Sequence, residues 1–333
     1  MNKQCYVGVD VSQETLDVAA RSPGGEQRTA QFANTSAGHR QLIKWLTKGG
    51  RCARVVLEST GVYSLDLAVA LAAAQRIEVM VVNPRAARKF ADACLQRSCT
   101  DTTMAVALRE YAARMEFVAW TPPAAAVREL RAIARRIAAL TLEKTRERNR
   151  QHAAGASADT PAVVRNDVAV NVRHLERRIA ELERHAVALI RSDAQLQPIY
   201  RRVLSVCGIA ETTAIQLLGE LLVLPADMTA RQWVAHSGLD VRHVTSGTSV
   251  HKVPRISKQG NAHVRRILFM PALVASQREP HVRAFYEHLV AAGKTPLQAL
   301  IAVMRKLLHA IWGMLKTETD FDGSKFRKLP EAA

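Results

Sequence analysis

Two apolar runs that each end on a carboxylate constrain this chain more than anything else in it. Residues 7–10 read VGVD and residues 55–58 read VVLE. A charge at the end of such a run is costly unless it reaches water, a partner or a metal. The stretch CYVGVDVSQETLDVAARS reads as a strand, a tight turn and a second strand. ARVVLEST is a continuous apolar run ending at Glu58, the pattern of a strand buried on both faces. A helical stretch from about Tyr63 leads to IEVMVVNP, a further buried strand stopped by Pro84. Strands alternating with helices predict a mixed α/β sheet with acids at strand ends.

From Asp101 the pattern turns helical. Met104, Leu108, Tyr111 and Met115 recur at steps of four, three and four and predict one apolar stripe. The prolines of TPP at 121–123 end that helix. A long charged helix follows, carrying eight Arg/Lys against three Glu between Arg128 and Arg150. Beyond the polar loop AGASADTPA, Val172, Leu175, Ile179, Leu182, Ala186 and Leu189 form a heptad seam. That seam predicts a coiled-coil hairpin or a dimer contact. From about Gln197 a second domain begins, with helices either side of the turn VCGIAET and then a loop-rich basic segment. The expected segments are 1–122, 123–196, 197–322 and a tail at 323–333.

Charge narrows the function classes. Lys and Arg number 47 against 30 acids, a formal net charge of +17, which points to a polyanionic partner. Between Val241 and Arg278 there is no acid at all, with seven Arg/Lys and three His. No apolar run is long enough to span a membrane, and the opening MNKQCYVGVD has no signal-peptide h-region. Cys5, Cys52, Cys94, Cys99 and Cys207 form no CxxC pair, which argues against zinc and for reduced thiols inside a cell.

The chemistry-bearing residues each have a plain alternative. Asp10 and Glu58 are either strand-end acids facing water or two oxygen ligands delivered to one sheet edge, suited to magnesium or manganese. Asp101 is either a first-turn acid, with Ser98 completing a capping-box-like pattern, or a third ligand. Met104 reads as core, and a thioether is a poor ligand for a hard cation. VTSGTSV, with Thr245, Ser246, Thr248 and Ser249, is either an ordinary loop or a hydroxyl held beside phosphate by Arg242, Lys252, Arg255 and Lys258. The turn at Cys207 to Ala210 is either a helix connector or a backbone cradle for phosphate.

In this order, YVGVDVSQETLDV, LESTGVY, VVNPRAARKFA, SCTDTTMAVAL and SGLDVRHVTSGTSV with RISKQGNAHVRRIL resemble the DEDD transposases of bacterial insertion sequences. This is the Piv/MooV-type family of bridge-RNA-guided recombinases, and the resemblance runs from about Tyr6 to Asp322. It implies an α/β RNase H-like (RuvC-like) N-terminal domain, a helical coiled-coil middle and a mainly α-helical C-terminal transposase domain. It implies that Asp10, Glu58 and Asp101 hold Mg2+, with Mn2+ as the alternative, and that Ser246 is a nucleophile forming a phosphoserine link to DNA. Arg242, Lys252, Arg255, Lys258, Arg265 and Arg266 are then expected to grip backbone phosphates. The implied partners are donor and target DNA, a structured noncoding guide RNA, and further copies of the chain in a homodimer or homotetramer whose composite site joins one subunit's acids to another's serine. The implied location is the bacterial cytoplasm, at the nucleoid.

One departure stands out. The family's fourth acid falls three residues after Asp101, where this chain has Met104. Asp66 and Asp92 are the substitutes the sequence offers, neither at the matching position. The departure raises a second reading, a catalytically silent homologue that still binds RNA and DNA. A nuclease using the acids alone is a third. An ATPase on a related sheet is disfavoured, because VDVSQET has no Gly-rich phosphate turn.

Overall fold

The computed structural model describes residues 4–59, 61, 63–95, 100–247 and 249–329, without the side chains of Val250 and Lys252. The chain divides into two compact units, Met1–Pro122 and Pro123–Ala333.

The first unit is built on a five-stranded sheet. Its strands are β1 (Gln4–Val11), β2 (Thr15–Arg21), β3 (Gln27–Ala33), β4 (Cys52–Glu58) and β5 (Ile77–Val82), in the order β3-β2-β1-β4-β5. β1 runs antiparallel to β2 and parallel to β4, and β4 runs parallel to β5. The alternation along β1 sends Cys5, Val7, Val9 and Val11 to one face. There they meet Leu42 and Leu46 of α1 (Ser36–Thr47) and Leu67 and Leu71 of α2 (Leu65–Ala72). On the opposite face Val56 and Val82 pack with Ala87 and Ala91 of α3 (Pro84–Ala93) and with Met104, Leu108 and Ala112 of α4 (Asp101–Arg114). β4 is therefore buried on both faces, as its apolar run predicts, and the unit has the expected RNase H-like architecture.

Gly8 sets how close α4 comes to the sheet. A Cβ at this position would lie 2.1 Å from the Ala105 carbonyl oxygen and 2.3 Å from the Arg109 backbone nitrogen. The helix backbone rests directly on β1, a separation that no residue larger than glycine allows. Thr100 caps the helix, its hydroxyl accepting from the Thr103 N–H, and Thr103 returns the contact in a capping box. The cap predicted at Ser98 falls outside the described residues, and Thr100 performs that role. The predicted stripe is buried at Met104 and Leu108, with Tyr111 packed against the same cluster. Met115 departs from it: the helix stops at Arg114, and Met115 is 46% exposed.

In the second unit α5 (Ala125–Ala156) and α6 (Ala162–Ser192) form a helical hairpin within the chain. Val172, Leu175, Ile179 and Ala186 of the seam are buried, with Leu182 and Leu189 packed beside them. An Arg148–Glu176 ion pair crosses between the two helices. Helices α7 (Leu196–Leu204), α8 (Glu211–Leu221), α9 (Ala230–Ser237), α10 (Ala262–Arg278), α11 (Pro280–Ala291) and α12 (Pro296–Thr317) share one core with the hairpin's base. Glu220 of α8, 2% exposed, locks the joint: it accepts from Arg135 Nε of α5 at 2.7 Å and from Asn261 Nδ2, the N-cap of α10, at 2.7 Å. The segment read as loop-rich is instead a β-hairpin of β6 (Val241–Ser246) and β7 (Val250–Ile256).

Substituting Gly8 by Ala is expected to destabilise the protein by about 2 kcal/mol or more, since helix backbone has to move. Gly24→Ala, whose new Cβ would meet nothing nearer than the Ser22 hydroxyl at 3.9 Å, serves as the near-neutral control in thermal melts.

Candidate functional site

On the α4 face of the sheet the carboxylates line up. Asp10 has the same parity as Gly8 and Tyr6 on β1, and Glu58 the same parity as Val56 on β4, so both point toward α4. The parallel register pairs Val9 with Leu57, which sets Asp10 beside Glu58 on adjacent strands. Across the antiparallel pair, Asp10 stands directly opposite Asp17 of β2. Asp17 shares its face with Arg21, which reaches Glu110 of α4 at 3.3 Å. The result is a row of three acids across β2, β1 and β4. Asp101 faces it from the first turn of α4, exposed to solvent and relieved of capping by Thr100.

The electrostatics of this row are those of an unbalanced cluster. Burial, together with the carboxylates of Asp101 and Glu58 and a smaller contribution from Asp17, pushes the Asp10 carboxyl up to about 6, against a partial offset from the Val11 N–H. Burial raises Glu58 as well. Among the described residues no Lys or Arg forms an ion pair with Asp10, Asp17, Glu58 or Asp101. Nor, among those residues, do three His, Cys, Asp or Glu groups already stand close enough to hold a metal ion. The donor set is nonetheless all hard oxygen, the chemistry that magnesium and manganese take. Met104 is 9% exposed in the α4 core and offers no oxygen.

Sequence reasoning overlooked Asp17. Its signal was the hairpin itself: Asp10 and Asp17 lie symmetrically about the turn that follows Val11, and antiparallel pairing then sets them opposite each other. Asp92 is engaged by Arg88 at 3.4 Å, and Asp66 stands in the first turn of α2, a helix packed on the other face.

The second candidate region is the β6–β7 hairpin. Ser246 is the last residue of β6, exposed and paired with Val250 beside the hairpin's turn, with Thr245 and Ser249 also exposed. Thr248 and the Lys252 side chain lie outside the described residues. Arg242 and Arg255 are direct cross-strand partners, both exposed, a like-charge pairing that costs stability without an anion between them. The hairpin's root is tightly held. Gly260, at φ +98°, lies where a Cβ would be 2.1 Å from the His236 carbonyl oxygen. Arg265 donates to the Ser237 carbonyl at 2.7 Å, so part of its guanidinium is used structurally. Arg266 is exposed and bonds to His263 Nδ1 at 3.1 Å. No carboxylate pairs with Arg242, Arg255, Lys258 or Arg266 among the described residues. The turn at Gly208, by contrast, packs against α10, where a Cβ would be 2.8 Å from the Pro271 carbonyl oxygen. Helix α8 begins there with Glu211, an acid at the end where an anion would sit. That geometry supports the helix-connector reading.

The raised Asp10 value has a defined sign. Above about pH 6 the group is ionised in folded and unfolded chains alike, and its charge weakens the metal-free fold; below pH 3.8 it is neutral in both and the penalty disappears. Asp10→Asn is therefore expected to stabilise the metal-free protein at pH 7.5. After screening, the gain is on the order of 1 kcal/mol, roughly 2–4 °C in Tm, and it should vanish near pH 3.5.

Comparison with known proteins finds two matched regions in succession along the chain. Residues 7–154 match a transposase family, the DEDD transposase domain of the IS110 type, and residues 200–287 match the transposase family IS116/IS110/IS902. The pilin gene-inverting protein of Moraxella bovis is 27% identical over 321 residues, covering 95% of this chain and 97% of that protein. The pilin gene-inverting protein of Moraxella lacunata is 28% identical over 325 residues, with the same coverage. An uncharacterized protein of insertion element IS110 from Streptomyces coelicolor is 27% identical over 149 residues, 45% of this chain and 35% of that protein. With an RNase H-like sheet carrying its acids on one face, and both matched domains in order, the chain belongs to the IS110/Piv family of DEDD transposases, enzymes that cleave DNA and transfer its strands.

Proposed function

We propose that this transposase cuts and rejoins DNA with Asp10, Glu58 and Asp101 as divalent-metal ligands and Ser246 as nucleophile. It acts as a homodimer or homotetramer on donor and target sites selected by a structured RNA. The observation that carries the reading is the acid row itself: carboxylates from separate parts of the chain share one sheet face with no basic partner among the described residues. Asp10, Glu58 and Asp101 would hold a magnesium ion, which would supply charge stabilisation at the scissile phosphate. The chain's own residues do the rest. Ser246, exposed at the hairpin's turn, offers its hydroxyl to phosphorus, and its O–P bond forms as the bond to the leaving deoxyribose oxygen breaks. Arg242, Arg255, Lys258 and Arg266, with Lys252 and the remaining donors of Arg265, hold the flanking phosphates. The inversion named for the Moraxella relatives suggests that site-specific rejoining, and not only excision, belongs to this chain's repertoire.

Trapping the covalent intermediate tests this directly. Incubated with manganese, its guide RNA and labelled donor DNA, the full chain is expected to form a denaturant-resistant protein–DNA adduct. Ser246→Ala is expected to lose the adduct while keeping DNA affinity within about threefold, because the phosphate contacts are intact. An adduct that survives this substitution contradicts the serine assignment.

A silent homologue is the second reading, and Met104 is the observation that favours it. Met104→Asp separates the two. A rise in strand exchange of about 100-fold or more would identify the native chain as impaired, on the scale of a lost electrostatic catalyst. Rates within a few-fold of the native chain would show that Met104 is tolerated.

A further inference from the structure

We propose that the hollow between the root of the β6–β7 hairpin and α12 takes an unpaired base of the DNA strand that Ser246 attacks. The inference rests on the reading of β6–β7 as the hairpin that holds DNA, and adds a site to it. The hollow measures about 570 Å³, the size of a small-ligand site. Leu239, Val241 and Ile256 wall it on the hairpin side, and Leu297 and Ile301 on the α12 side. All of these but Val241 also line a second hollow, which runs on to Phe269 and Met270 of α10. Leu297 is 58% exposed and Met270 56%, so the apolar surface faces water. Contiguous apolar surface with a charged rim is characteristic of binding sites.

The rim decides the kind of ligand. Arg255, Lys258, Lys294 and Arg305 stand around the first hollow, all exposed, and among the described residues none forms an ion pair. No acid lines either hollow. An apolar floor inside a purely cationic rim suits a ligand that is flat and weakly polar at its centre and anionic at its edge. A nucleotide is such a ligand: its base lies between apolar side chains while arginine and lysine hold the adjoining phosphates. Gln298, also on the lining, has a group to offer the base edge. Its Oε1 accepts from the Thr295 N–H at 3.0 Å, which leaves the two N–H donors of its amide.

The hairpin ties the site to the attacked DNA strand. Val241 and Ile256 pair at its root, and Ser246 and Val250 pair beside its turn. The strand from Val241 to Ser246 spans about 16 Å at the usual rise per residue. That is about five nucleotide steps at the stacked spacing of 3.4 Å, and fewer in an extended strand. A strand held at Ser246 therefore has the length to reach the hollow.

Binding of the full chain to single-stranded DNA, followed by the anisotropy of an end label, is the test. A strand with its bases is expected to bind at least about tenfold more tightly than the same strand with abasic sites, the scale of one stacked base. Ala302→Phe places a ring in the hollow, and Leu297→Ser removes an exposed part of its wall. Each is expected to bring the two strands within about threefold of one another, with the melting temperature unchanged. Lys294→Gln is expected to weaken both strands alike and to lower the salt slope by about one. Equal affinity of the native chain for the two strands overturns the site and leaves the phosphate contacts standing. A preference for bases that survives both hollow variants overturns it too, as does tighter binding of the matching RNA. So does a change of oligomeric state on Leu297→Ser with the base preference intact, which would make the face a contact between copies. No salt-dependent DNA binding by the native chain overturns the hairpin reading as well.

Discussion

The contact of α4 with β1 at Gly8 is the constraint on which the site depends. Packed layers are ordinarily held apart by the side chains between them, and here the backbone of Ala105 and Arg109 reaches the space a Cβ would fill. That approach carries the first turn of α4 down to the row of acids on β2, β1 and β4. Asp101 thereby comes close enough to raise the carboxyl of Asp10, a residue far away in the chain. Arg21 holds the helix's far half by pairing with Glu110 at 3.3 Å, and Arg109 by donating to the Gln27 side chain of β3 at 3.0 Å, and the acidic end is left without a basic counterpart among the described residues.

The uneven distribution of charge is the second organising theme. Bases that do structural work have assigned partners: Arg131 and Arg135 meet Glu220, and Arg265 holds the Ser237 carbonyl. Among the described residues, those of the β6–β7 hairpin have no carboxylate partner. Arg242 and Arg255 oppose each other across two exposed strands, in a segment without one acid. Among the described residues, basic side chains without a carboxylate partner lie on the hairpin that carries Ser246, and carboxylates without a basic partner lie on the sheet of the other unit. Metal-assisted phosphodiester chemistry needs both kinds of surface, and the fold supports each with glycines at close approaches, Gly8 in one unit and Gly260 in the other.

Local pattern revealed much of this architecture in the sequence. The strand-end positions of Asp10 and Glu58 follow from apolar runs, and the hairpin seam through Val172, Leu175 and Ile179 follows from its heptad spacing. What escaped was set by register and by competition between neighbours. Asp17 becomes visible only when β1 and β2 are paired residue by residue, because period-two alternation does not say which residues oppose. The cap of α4 went to Thr100 where Ser98 was expected, since a β-hydroxyl immediately before the helix reaches the free N–H groups directly. The β6–β7 strands were masked by their Ser, Gly and Lys content, which reads as loop when no buried face imposes alternation.

Diffraction from the full chain with manganese, recorded at an energy where the ion scatters anomalously, bears most directly on the central claim that the sheet's acids converge on divalent cations. The account predicts anomalous density against the Asp10 carboxylate, in contact with at least one neighbour from Glu58, Asp101 or Asp17. Density confined to other surfaces, with these acids paired to lysine or arginine side chains, would contradict it.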